Sequence, residues 1–130
     1  MKSNDNQFSN FPLILLAGDN PRTALALQRA LIDHGFRVQS TPSYRELYAV
    51  WTQQRHSQSG AMVLLDVPGG HAVEAAVQTA LKFKRDDPQQ FVAYLADPVL
   101  HTSGLAGDAI YPRNADQLAE ALRSQLSEQA

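Results

Sequence analysis

The chain contains no cysteine. That single absence excludes disulfides, thiolate zinc sites, iron–sulfur clusters and a cysteine nucleophile. It also lacks a run of one charge: 11 Lys and Arg and 13 Asp and Glu are scattered over 130 residues, giving a formal net charge of -2. A nucleic-acid-binding domain usually presents a basic face or run, so no nucleic-acid partner is expected. Acidic residues are not crowded into a calcium loop. The apolar runs Leu13–Ala17 and Ala61–Leu65 are far shorter than the ~20 residues that cross a bilayer. The leading MKSNDNQFSNF is polar and has no signal-peptide centre. The expectation is a soluble, cytoplasmic domain with no membrane partner.

Local catalytic signatures are missing as well. There is no GxGxxG or GxxxxGK[ST] phosphate loop, and no GxSxG nucleophile turn. His34, His56, His71 and His101 share no metal-ligand spacing, and of these only His71 lies close to a candidate site residue.

What is present is an alternation of strand and helix. Residues 1–11 read as a flexible N-terminal segment, and 12–130 as one domain, a length suited to a single core. Leu13–Ala17 and Ala61–Leu65 are continuous apolar runs, the mark of strands buried on both faces of a parallel sheet. Phe36–Gln39, Phe91–Leu95 and Ala109–Tyr111 supply three more strands. Between them Ala24, Leu27 and Leu31 form one helical stripe, and Leu47, Val50 and Trp51 a second. Val73, Ala76, Val77, Ala80 and Leu81 form a third, and Leu118, Leu122 and Leu126 a fourth. Asn20–Pro21, Ser43 with Glu46, and Asn114 with Gln117 mark helix starts. From Asp97 to Asp108, Gly104 and Gly107 leave little room for a helix. Lys82, Lys84, Arg85, Asp86 and Asp87 read as a solvated helix end.

Five strands joined by helical crossovers imply a parallel sheet with helices on both faces. The fold class is α/β: a flavodoxin-like three-layer sandwich, five-stranded, order 2-1-3-4-5, with the fourth helix short or missing. In that order the carboxyl ends of the first and third strands flank the crevice, and those ends carry Asp19 and Asp66.

The motifs LLAGDNP, LLDVPGG and DAIYP at the ends of strands one, three and five resemble the receiver domain of two-component response regulators. The resemblance runs from Leu13 to about Leu126. It implies that Asp66 is the candidate phosphoacceptor and that Asp19 and Asp66, with a backbone carbonyl after Asp66, form a weak Mg2+ site. It also shows departures. Gly18 stands in the usual acidic pair, and Ala96, or Leu95 if the register slips, replaces a Ser or Thr. Tyr111 replaces the lysine before Pro112, and Tyr111 cannot neutralise a phosphate at neutral pH.

The resemblance therefore implies a degenerate, non-enzymatic signalling module in a two-component or phosphorelay system. It would act through contacts with a protein partner, with a histidine kinase or output domain, or by self-association. A working receiver phosphorylated on Asp66 with Mg2+ is the alternative. An unrelated flavodoxin-like ligand-binding domain is the third reading. For the first, the expected contact surface is Val99, Leu100, Leu105, Tyr111 and the outer side of the last helix, with Tyr111 as its anchor. With two facing carboxylates and no cation, Asp66→Asn is expected to relieve repulsion and stabilise the domain slightly.

Overall fold

The computed structural model describes the backbone of residues 13–18, 21–54, 61–101, 104, 105 and 107–129, and their side chains except those of 21 and 126–129. The N-terminal segment, Asp19 and the side chain of Leu126 thus lie outside the described residues.

Five strands, β1 (Leu13–Ala17), β2 (Arg37–Thr41), β3 (Met62–Asp66), β4 (Val92–Leu95) and β5 (Ala109–Tyr111), form one parallel sheet in the order β2-β1-β3-β4-β5. The described helices are α1 (Pro21–Asp33), α2 (Tyr44–Gln54), α3 (Val73–Asp86) and α4 (Ala115–Gln129). The helix expected to be short or missing after β4 is a single 3-10 turn, Pro98–Leu100. None of the described helices is long and apolar enough to cross a membrane.

The apolar runs work as two-sided strands because successive side chains point to opposite faces. Leu15, Ala17, Val63, Leu65, Val92 and Tyr94 meet Leu47 and Trp51 of α2 and Ala76, Ala80 and Phe83 of α3. Ile14, Leu16, Met62, Leu64, Ala93 and Leu95 meet Leu27 and Leu31 of α1 and Leu118, Ala119 and Leu122 of α4. Phe83 belongs to the core, whereas Leu81, expected on the inner stripe, is 56% exposed. The α3 end is also tied down more than a solvated end would be. Lys84 Nζ lies 2.6 Å from Asp108 Oδ2, and Asp86 accepts the Tyr48 hydroxyl.

Helix boundaries follow their caps. Ser43 Oγ accepts from Glu46 N at 3.1 Å, and Asn114 Oδ1 from Gln117 N at 3.1 Å. Gly35, at φ 95°, ends α1 in the left-handed conformation while Phe36 N reaches back to Leu31 O at 3.0 Å. At the amino end of the sheet, buried Gln90 accepts from Trp51 Nε1 and donates to Ala61 O, joining α2 to the start of β3.

Burial raises the Tyr94 phenol to about 12. Its folded pKa thus exceeds the unfolded value of about 10, so the stability gained from a neutral phenol is intact below about pH 10 and lost above it. Thermal midpoints measured through this alkaline range should fall as tyrosinate absorbance rises, and Tyr94→Phe should flatten the fall.

Candidate functional site

The candidate site is the carboxyl edge of the sheet. Asp66 is the last residue of β3 and is 1% exposed. Two residues back along the strand, Leu64 lies in the α1/α4 layer, so the alternation of β3 aims the Asp66 side chain toward the same layer. There it meets Arg113, which follows Pro112 and precedes the Asn114 cap of α4. Arg113 Nε donates to Asp66 Oδ1 at 2.8 Å, and Nη2 donates to Oδ2 at 3.2 Å. Arg113 is 20% exposed at its side chain. The planar guanidinium matches the carboxylate with two parallel hydrogen bonds, the strong form of this pairing. On the other side of the strand end, the Tyr44 hydroxyl of α2 donates to the Asp66 carbonyl oxygen at 2.5 Å.

Gly18 closes the site from β1. A Cβ placed there would lie 2.9 Å from Asp66 Cβ and 3.2 Å from Asp66 Oδ2. The ends of β1 and β3 are therefore too close for a side chain at position 18 unless one of them moves. Gly18→Ala should destabilise the domain by roughly 1–3 kcal/mol through overpacking, read from urea unfolding.

The other singled-out positions are distributed as follows. Leu95 pairs in register with Asp66, and Ala96 follows it, fully buried, with its N–H bonded to Tyr111 O at 3.0 Å. Neither offers a hydroxyl. Pro112 is half-buried between Tyr111 and Arg113. His71 is exposed beside a cleft that it lines with Ser43, Tyr44, Ala72 and Ala75. Asp19 lies outside the described residues.

Tyr111 corrects an expectation. It is not a surface anchor: it is 7% exposed and packs in the α1/α4 layer with Leu118, Ala119 and Leu122. The period-two alternation of Ala109–Ile110–Tyr111 turns its ring inward. Leu100 and Leu105 are each 9% exposed, so of the surface expected here only Val99, at 80% exposed, and the outer side of α4 face solvent. The Tyr111 hydroxyl is buried without a hydrogen-bond partner, and burial raises its pKa. An unsatisfied buried hydroxyl costs stability, so Tyr111→Phe should leave the domain unchanged or more stable by about 1 kcal/mol in a urea melt.

Arg113 is the residue that the sequence reading missed. The expected cation position, Tyr111, carries none, and the charge arrives two residues later. Of the expected magnesium ligands, Asp66 has both carboxylate oxygens accepting from Arg113, and Asp19 lies outside the described residues. Among the described residues no three His, Cys, Asp or Glu side chains gather to hold a metal.

No family model matches the chain, and no curated protein matches it. Solved structures do. A response regulator from Thermotoga maritima superposes at TM-score 0.67 with 18% identity, over 90% of this chain and 98% of that one. A response regulator receiver protein from Sinorhizobium medicae gives 0.63 with 22% identity, over 92% and 98%. A putative pilus assembly-related protein from Burkholderia pseudomallei gives 0.67 with 16% identity, over 92% of each chain. The chain has the flavodoxin-like, CheY-like fold of response-regulator receiver domains.

Proposed function

We propose that this chain is a receiver-type signalling domain that works through protein contacts and does not take up a phosphoryl group. The observation that carries this reading is the Asp66–Arg113 pair: Asp66, the expected acceptor, is buried and held at both oxygens. Phosphoryl transfer to a carboxylate requires an attacking oxygen and a metal to neutralise the donor, and the Arg113 fork on both Asp66 oxygens supports the reading that Asp66 is not poised to attack. Leu95 and Ala96 provide no hydroxyl to bond a phosphoryl group, and the element after β4 that would report it is one 3-10 turn. The partner is a protein, whether a kinase, an output domain or a second copy of the chain.

The test is incubation with acetyl phosphate and Mg2+, followed by intact mass and sedimentation velocity. No mass gain and an unchanged association state are expected. A stable phosphoryl adduct on Asp66 with altered association would establish the working receiver instead.

A further inference from the structure

Resting on the reading above, we propose that Arg113 is the resident cation of the Asp66 site, standing in for a bound divalent metal and keeping that metal out.

Asp66, 1% exposed, is a carboxylate in a poor solvent, and such a group needs a counter-charge. Arg113 supplies one positive charge through two hydrogen bonds of 2.8 and 3.2 Å. An incoming divalent ion would have to displace this fork or sit beside a guanidinium of like sign. Neither route is favourable while the fork is in place.

Backbone placement makes the fork ready-formed. Pro112 fixes one torsion immediately before Arg113. Asn114 immediately after it accepts from Gln117 N and accepts Leu118 N at its carbonyl, so the start of α4 is pinned. Arg113 is thus held between a rigid residue and a capped helix. Tyr111, two residues earlier, is held in the core by its ring. A cation at position 111 would therefore need a different packing of this strand end, whereas one at 113 needs none.

Gly18 is the second, independent observation. Position 18 is where the family pattern has an acidic residue, yet a Cβ there would overlap Asp66 at 2.9 Å. The approach of the two strand ends leaves no room for a carboxylate at position 18 while Asp66 holds the Arg113 fork.

The experiment is a titration of the whole chain with MgCl2 alone, following the amide resonances of Gly18, Asp66 and Val67. Wild type, Arg113→Gln and Arg113→Lys are compared. Wild type should give no saturable shift across the millimolar range. Arg113→Gln, which removes the charge, should bind Mg2+ at least tenfold more tightly than wild type. Arg113→Lys, which retains the charge, should stay nearer wild type. Saturable Mg2+ binding by wild type, or the same response from all three proteins, would overturn the proposal. If Arg113→Gln does not fold, wild type alone decides. Its Arg113 Nε–H resonance should be protected from exchange and unmoved by MgCl2, and loss of that protection on adding MgCl2 would overturn the proposal. Failure here is separable from failure of the proposed function. A wild-type chain inert to acetyl phosphate whose Arg113→Gln variant gains no Mg2+ affinity refutes only the role given to Arg113.

Discussion

Arg113→Ala should cost the domain about 3 kcal/mol of unfolding free energy, because it leaves the Asp66 carboxylate buried without its cation. The low end of the range for broken buried pairs applies, since Arg113 is 20% exposed and partly solvated. Asp66→Asn should also destabilise, by about 1–2 kcal/mol, as a charge-assisted pair is lost. This reverses the sign expected from two facing carboxylates alone, because that expectation placed no cation at the site. Combining the two changes should cost less than their sum by at least about 1 kcal/mol, the signature of residues that touch. Urea unfolding of the four proteins measures all of this. A cost below about 0.5 kcal/mol for Arg113→Ala would place it among ordinary surface changes and remove the pair from the account.

Truncation of the central strands should be equally damaging. Leu15, Leu16, Leu64 and Leu65 are each 0–1% exposed and lie on the paired strands β1 and β3. Leu64 faces the α1/α4 layer and Leu65 the α2/α3 layer. Replacing any one with Ala loses its burial and leaves a cavity in a close-packed interior, at a cost of roughly 2–5 kcal/mol. The two faces should respond alike, because the sheet is covered on both. A small loss at Leu65 beside a large one at Leu64 would mean that the α2/α3 layer is loosely packed.

The fold was legible because its signals are local and repeated. Continuous apolar runs of five residues gave β1 and β3, and Ser43 and Asn114 marked helix starts that the hydrogen bonds bear out. The sparse stretch after β4 led to the expectation of a reduced helix, and a 3-10 turn stands there. Boundaries moved by a residue or two: β2 runs Arg37–Thr41, not Phe36–Gln39, since an edge strand carries a weak apolar pattern.

The site was only half legible. Asp66 was visible as a carboxylate closing an apolar strand, but its partner was sought at the family position, Tyr111. Arg113 carried a partial signal: an arginine after Pro112 and before a helix cap lies at the carboxyl edge of the sheet, the edge that also carries Asp66, although β4 stands between their strands. Tyr111 was read as an interface aromatic because aromatics enrich there. Its place in a three-residue strand, alternating with Ile110, already pointed it inward. Tyr44 was read only as part of a capping box, and nothing in one sequence shows that its hydroxyl reaches Asp66 O across 22 residues.

The central claim is that an internal arginine fills the acidic site of a receiver fold. The most direct measurement is a crystal structure of the protein grown with Mg2+ and beryllofluoride. The account predicts Asp66 still held by Arg113 at both oxygens, with no fluoride adduct on the carboxylate. A beryllofluoride group on Asp66, with Mg2+ beside it and Arg113 swung away, would contradict it.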